Sequence, residues 1–205
     1  MQGSILRNVR AVPDQGDEYD KDVASAIYYA VEQGAKVINL SLGKDLSPHA
    51  ELVQSALDWA AQHDVVVIHS SGNNGRNLDE APIYPEGIGR SGKPLANYLR
   101  VGASTKTGAR ASFSNYGKSV TLCAPGEAIY GLMAGGRISE EEGTSIAAPL
   151  VSAVAAMIRA YFPRLTAAQV VELLQSTARQ GQVPVVDALS AVQRAAQLAH
   201  RSPSH

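Results

Sequence analysis

Short runs of β-branched and aliphatic residues alternate with helical segments along this chain, and the alternation leaves few folds open. Runs this short suit buried strands better than helices. Strands that alternate with helices pair in parallel, because each helix returns the chain across the sheet in a right-handed crossover. The sequence therefore predicts an α/β fold, with a mostly parallel sheet and helices on both faces. The predicted strands are Lys36–Leu40, Val65–Ile68, Leu99–Ala103 and Ser119–Leu122.

Apolar residues at helical spacing predict five helices around this sheet. The second begins at Ser47-Pro48, a capping residue followed by proline, and the fourth begins with a capping box of Thr166 and Gln169. Residues 73–97 and 127–142 are rich in turn-forming residues and are predicted to be loops. The predicted helices are Asp20–Gln33, one from Ser47, Thr144–Tyr161, one from Thr166, and one from about Asp187 to Leu198.

Length and composition restrict the class of protein. With 205 residues the chain fits one domain, which we place at residues 1–200, followed by a disordered tail at 201–205. A net charge of -1 gives no reason to expect nucleic acid or a membrane as a partner. Residues 1–20 contain no apolar run typical of a signal peptide. The single cysteine, Cys123, excludes an internal disulfide.

The trio Gly143-Thr144-Ser145 opens a long Ala/Val-rich helix and admits two interpretations. Thr144 or Ser145 can simply cap the helix, as such residues often do before an apolar run. Alternatively, Ser145 is a nucleophile. Gly143 allows an unusual backbone angle before the serine, and Pro149 has no N–H to donate to the Ser145 carbonyl. A serine at such an irregular helix start is well placed to attack a substrate.

The residues after two of the predicted strands are further candidates for a functional site. The strand at 65–68 leads into Gly72-Asn73, and ligands bind parallel sheets at the carboxyl ends of the strands. The Asn73 amide could donate to a developing oxyanion, although Gly-Asn pairs also form ordinary turns. The strand that ends in Ser41-Leu42-Gly43 leaves backbone groups with which an extended peptide could pair. The sequence at 41–43 is equally typical of a strand that simply leads into a loop.

Five motifs, taken in order, resemble the subtilisin-like serine proteases (the subtilases): VINLSLG (37–43), VVVIHSSGNNG (65–75), ASFSNYG (111–117), APG (124–126) and GTSIAAP (143–149). The resemblance runs from about Ile5 to about Leu198. It implies serine endopeptidase activity on polypeptides through an acyl-enzyme, without a required cofactor. By position it implies that Ser145 is the nucleophile and that Asn73 and the Ser145 N–H form the oxyanion hole. It also implies a cleft lined by Ser41, Leu42, Gly43, Ser71 and Gly72.

The acid and base of the family are not found in this sequence. Subtilases carry an Asp in D-[S/T]-G and a His in H-G-T-H before the serine. Asp14-Gln15-Gly16 is the only similar triplet near the start, and no histidine precedes His49. The stretch 5–27 instead resembles the subtilase segment that follows the histidine helix, in which a strand and a charged loop lead into the next helix. His69 lies about 13 Å of extended chain before Asn73 and is predicted to be a packed strand-end histidine. The family often binds calcium, but no oxygen-rich run marks a site here.

The chain therefore resembles the carboxyl-terminal two-thirds of a subtilase catalytic domain, N-terminally incomplete. Its expected partners are a polypeptide substrate and the missing N-terminal portion. Without the first strands, a sheet edge and apolar surface should be exposed, and the isolated chain should be inactive.

Three hypotheses about function stay open. The chain is part of a serine endopeptidase, or an inactive remnant that binds extended peptides or a partner through 41–43, or an unrelated α/β binding module in which Ser145 only caps a helix. The location of the protein is undetermined, although the resemblance is compatible with a secreted parent protein.

Overall fold

Four parallel strands form the central sheet of the computed structural model, which describes residues 5–132 and 134–201. They follow one another across the sheet as β1 (Val37–Leu40), β2 (Val66–Ser70), β3 (Tyr98–Ser104) and β4 (Val120–Pro125). Strands β5 (Ile129–Leu132) and β6 (Ile138–Glu141) form a separate antiparallel hairpin. The helices are α1 (Asp20–Glu32), α2 (Ala50–Gln62), α3 (Thr144–Tyr161), α4 (Ala167–Ser176) and α5 (Ala188–Arg201).

The two faces of the sheet bury separate cores, as the alternation along β2 requires. Val67 packs with α1 and α2 on one face, whereas Val66 and Ile68 pack with α3, α4 and α5 on the other. Helix α3 approaches the sheet closely because alanines such as Ala147 and Ala155 lie on its buried side. The predicted α/β fold with helices on both faces is confirmed.

Asp64, just after α2, links the end of that helix to α3 and to α4. Its carboxylate accepts a hydrogen bond from the Arg159 guanidinium of α3 at 2.8 Å and another from the Ala167 N–H at the start of α4. Arg159 is buried and also donates to the Leu165 carbonyl. A buried guanidinium needs such partners, because an unpaired charge in the core is costly.

The predicted capping box of α4 is present, since Thr166 and Gln169 bond each other's backbone reciprocally. The predicted start of α2 is wrong. The helix begins at Ala50, and the Ser47 hydroxyl instead donates to Asp20, whose carboxylate also accepts the His49 N–H. A buried carboxylate from α1 therefore holds the segment that leads into α2.

Two other segments differ from expectation. Residues 127–142, predicted to be an open loop, contain the β5–β6 hairpin. Residues 5–19, which resemble a subtilase segment that contains a strand, form no strand, and Ile5 and Leu6 are 82% and 88% exposed. Residues 73–97 form no helix or strand, as predicted. Helix α5 continues to Arg201, and the rest of the predicted tail, 202–205, lies outside the described residues, as do 1–4.

One side of the molecule has an uncovered sheet edge beside an apolar helix flank. Within 5–132 and 134–201, β1 pairs with β2 alone, and its other edge meets no strand. Ser152 on α3 donates to Asn39 on β1, so this edge and α3 are adjacent. By length and apolar composition α3 could cross a membrane, yet it packs on all four sheet strands as a core helix. Its exposed flank carries Leu150, Met157 and Tyr161, of which Tyr161 is 62% exposed. The expected exposed edge and apolar surface are both present.

Candidate active site

Ser145 lies in the first turn of α3, at the carboxyl ends of the sheet strands. The chain enters this turn through Gly143, whose φ of 145° favours glycine. A Cβ on Gly143 would lie 3.0 Å from the Ser145 Oγ and 3.4 Å from the Asn73 Nδ2. Glycine at 143 therefore keeps open the space between the hydroxyl and the amide.

The Ser145 carbonyl has a donor from outside its helix. Pro149 lies inside α3 and has no N–H for that carbonyl. The Ser41 hydroxyl, just beyond β1, donates to it at 2.9 Å instead. The helix start and the end of β1 are thereby held together.

Asn73 is fixed by Thr144 in one orientation. Its Oδ1 accepts hydrogen bonds from the Thr144 N–H at 2.8 Å and from the Thr144 hydroxyl at 2.9 Å. The same hydroxyl accepts the Gly72 N–H at 3.0 Å. With Oδ1 committed in this way, the Nδ2 donor lies on the side of Gly143 and Ser145.

Asn115 supports the loop that carries Asn73, and the sequence analysis gave it no role. It is fully buried, and its Oδ1 accepts the N–H groups of Asn74 and Arg76, each at 3.0 Å. Its Nδ2 donates to the Ser71 carbonyl at 2.8 Å. The only sequence signal was its place in the ASFSNYG motif, because the contacts join residues some 40 positions apart.

The predicted cleft residues divide into surface and buried groups. Ser41 and Gly43 are exposed, and Leu42 is half-buried. Ser71 is fully buried and donates to the Asn115 carbonyl, so it lies beneath the cleft. Gly72 has a φ of 90°, and a Cβ there would be 2.5 Å from the Asn115 Nδ2. A side chain at 72 would therefore displace Asn115.

His69 is buried in β2 and has both ring nitrogens occupied. Its Nε2 lies 2.8 Å from the Leu42 carbonyl oxygen, and its Nδ1 contacts the Tyr98 hydroxyl. Burial, with a further contribution from the Arg100 charge, lowers the pKa of His69 to about 3. It is the packed strand-end histidine that the sequence predicts, and it cannot serve Ser145 as a base.

No base contacts Ser145 within residues 5–132 and 134–201, where its Oγ has no hydrogen-bond partner. The His49 side chain is largely exposed, and the His63 Nδ1 bonds the Trp59 carbonyl on α2. Asp14 pairs with Arg10 at the surface. In the same part of the chain no three His, Cys, Asp or Glu side chains are grouped as metal ligands. The side chains of His200 and His205 lie outside what is described.

Comparison with known proteins supports one family. The model of the subtilase family, peptidase S8, matches residues 3–192. A thermophilic serine proteinase from Bacillus sp. (strain AK1) is 38% identical over 150 residues, which are 73% of this chain and 34% of that protein. Subtilisin DY from Bacillus licheniformis is 32% identical over 174 residues, which are 84% of this chain and 60% of that protein.

Solved structures agree. A protease from Pseudoalteromonas arctica PAMC 21717 matches with a TM-score of 0.74 and 28% identity, over 87% of this chain and 59% of that chain. A cold-adapted subtilisin-like serine proteinase matches with a TM-score of 0.73 and 29% identity, over 85% of this chain and 60% of that chain. The chain thus spans from a third to three-fifths of these proteins. It belongs to the subtilase family of serine proteases.

Proposed function

We propose that this chain is the part of a serine endopeptidase that supplies the nucleophile, the oxyanion hole and one wall of the substrate cleft. The observation that carries the proposal is the arrangement of Ser145, Gly143 and Asn73. The hydroxyl and the Asn73 Nδ2 border one open space, and Thr144 holds the amide with its donor toward that space.

The proposed reaction is acyl transfer. The Ser145 Oγ attacks the carbonyl carbon of a peptide bond and loses its proton to a base, and the resulting oxyanion accepts hydrogen bonds from the Asn73 Nδ2 and the Ser145 N–H. The oxyanion then collapses, the C–N bond breaks, and the leaving amine takes the proton. Water later hydrolyses the ester by the reverse route. One such amide donor contributes roughly 3–4 kcal/mol of transition-state stabilisation, the range known for the corresponding donor in a subtilisin.

We propose further that the acid and base come from polypeptide that covers the free edge of β1 and the apolar flank of α3. Ser41, at the end of β1, bonds the Ser145 carbonyl. A strand added in parallel to this edge would therefore end near Ser145, because parallel strands present their carboxyl ends on one side. The unpaired edge of β1 and the exposed apolar side chains on the adjacent flank of α3 favour such a covering.

The proposal can be tested with an alkyl fluorophosphonate probe and imidazole. We expect the purified chain to be labelled at Ser145 slowly, and faster when imidazole supplies the missing base. Ser145→Ala should abolish labelling, and Asn73→Ala should slow it by about 100-fold because the phosphoryl oxygen loses one donor. Ser55→Ala, on α2, is the matched control and should leave the rate unchanged.

A second candidate function is that of an inactive remnant that binds extended peptides through 41–43. The observation that favours it is the lack of any base at Ser145 in the described part of the chain. Labelling that stays absent even with imidazole, in a folded chain that still binds an extended peptide, would select this function.

A further inference from the structure

The Leu42 carbonyl lies where the sheet ladder stops. The last paired residues of β1 and β2 are Leu40 and His69. Beyond them the Gly72 N–H, which would be the next donor from β2 to this segment, donates instead to the Thr144 hydroxyl at 3.0 Å. The Leu42 oxygen consequently has no backbone donor from β2, and the His69 Nε2 takes that place at 2.8 Å.

The proton positions in this contact follow from the partners. A carbonyl oxygen only accepts, so the Nε2 must carry the proton. Neutral His69 then has an unprotonated Nδ1, and the Tyr98 hydroxyl donates to it. Pro85, whose carbonyl also lies within reach of that hydroxyl, receives its hydrogen bond from the Arg100 guanidinium at 2.6 Å.

The same group of side chains also reaches the neighbouring segment at 83–85. Arg100 is buried, and its Nη2 donates to the carbonyls of Ile83 and Pro85. The segment at 83–85 in turn pairs with the strand that continues from β1, because Lys44 and Tyr84 exchange both backbone hydrogen bonds. His69, Tyr98 and Arg100 therefore form a polar support beneath both segments.

We propose that His69 is a positioning residue for substrate pairing, which it performs by holding the Leu42 carbonyl inward. This inference rests on the proposed function. In an extended segment, successive residues direct their backbone groups to opposite sides. With Leu42 and Lys44 bonded inward, Ser41 and Gly43 direct theirs outward to an extended peptide.

Gly43 fits this role because a side chain at this position would contact the imidazole. A Cβ at this position would lie 3.4 Å from the His69 Nε2 and 3.3 Å from the Tyr84 carbonyl oxygen. The segment therefore passes close to the imidazole, which it contacts through the Leu42 carbonyl, and we expect a change of the side chain at 69 to alter its position.

Two probes separate positioning from a general loss of structure. One is the alkyl fluorophosphonate, which reports the reactivity of Ser145, and the other is a fluorophosphonate that carries an N-acetylated tripeptide, which also needs the cleft wall. Both are used with imidazole. We expect His69→Ala to slow the tripeptide probe by about tenfold, the effect of one lost hydrogen bond, and the alkyl probe by less than about threefold.

A conservative variant provides the rescue. In His69→Gln the amide nitrogen can still donate to the Leu42 carbonyl, so this variant should restore most of the tripeptide labelling. His49→Ala, at an exposed site, is the matched control. An equal loss with both probes, or a glutamine variant no better than alanine, would overturn the proposal.

A readout without catalysis covers the case in which neither probe reacts. Nitrogen-15 NMR of histidine-labelled chain should show His69 with an unprotonated Nδ1 from pH 7 to pH 5. Hydrogen exchange in the peptide 41–45 should accelerate about tenfold in His69→Ala, because the Lys44 amide loses its support. If neither probe labels the chain but the NMR and hydrogen-exchange results are as expected, the proposed function is contradicted and the positioning role of His69 is not. An Nδ1-protonated ring, or unchanged exchange, would refute the positioning role.

Discussion

At the scale of single residues, hydrogen bonds hold one polar atom of a side chain and leave another atom of the same side chain free, as in Asn73. The Asn73 Oδ1 accepts both hydrogen bonds from Thr144, so its Nδ2 faces the space beside Ser145. Thr144, which by sequence is a possible helix cap, makes no cap of its own helix and orients the amide instead. Such placement spares the reaction the cost of turning dipoles toward a developing charge.

Burial of His69 predicts a dependence of stability on pH. Its pKa falls from 6.5 to about 3 on folding, so between these values the unfolded chain binds more protons than the folded one. The free energy of unfolding is therefore highest above pH 6.5 and decreases by up to about 1.4 kcal/mol per pH unit as the pH falls toward 3.

Urea unfolding of the wild type and of His69→Gln at pH 7, 6, 5 and 4 measures this difference. The glutamine variant should lack this part of the slope while it keeps the part due to carboxylates. Parallel curves for the two proteins would mean that folding does not lower the pKa of His69.

At the scale of helices and strands, Asp64 links the end of α2 to α3 and to the start of α4. Its carboxylate is 45% exposed whereas the Arg159 side chain is 6% exposed, so removal of the carboxylate leaves the buried cation without its anion. We expect Asp64→Asn to lower the free energy of unfolding by about 2 kcal/mol, less than for a fully buried pair because water reaches the carboxylate.

Asp14→Asn is the matched control for this prediction. Asp14 also pairs with an arginine, but both side chains are exposed, so the change should cost less than about 0.5 kcal/mol. Thermal or urea unfolding measures both variants. Equal effects would show that Asp64 contributes no more than a surface ion pair.

Local sequence predicted the elements whose causes are local. The β-branched runs gave all four sheet strands within a few residues, and the Thr166 capping box fixed the start of α4. The start of α2 was missed because Ser47 is drawn to Asp20, 27 positions earlier. The β5–β6 hairpin was missed because its strands have only four residues each, and because Gly131, Gly135 and Gly136 in and between them are typical of a loop.

The candidate site was predictable only in part for the same reason. Ser145 and Asn73 lie in recognisable motifs, but Asn115 and the contact of His69 with Leu42 depend on residues brought together by the fold. No local pattern distinguishes a histidine that packs from one that also holds a neighbouring carbonyl. Its long-range partner alone gives it that role.

At the scale of the whole molecule, the uncovered side should govern behaviour in solution. An unpaired strand edge beside an apolar helix flank favours contact with other chains. We expect the purified chain to form species larger than a monomer at tens of micromolar, as a surface of this kind predicts. Sedimentation velocity measures their proportion.

A charge on the flank of α3 should reduce this association. Met157→Lys places an ammonium on the exposed flank and should increase the monomer fraction. Leu52→Lys, at a comparably exposed position on α2 on the opposite face of the sheet, is the matched control and should change little. A wild-type chain that sediments as a monomer, or equal effects of both lysines, would show that this flank is not the contact surface.

The hydrogen bond from Ser41 to the Ser145 carbonyl also bears on the order of folding. The two residues are 104 positions apart, and closing so long a loop is entropically costly and comes after local contacts form. Pro149 has no N–H to donate to the Ser145 carbonyl, and the Ser41 hydroxyl donates to that carbonyl instead. The first turn of α3 therefore has its full set of hydrogen bonds only when the end of β1 packs against it. We therefore expect Ser145, the proposed nucleophile, to be among the last parts of the chain to reach its final geometry, so that a nascent or half-folded copy carries the serine without the alignment that the proposed reaction needs.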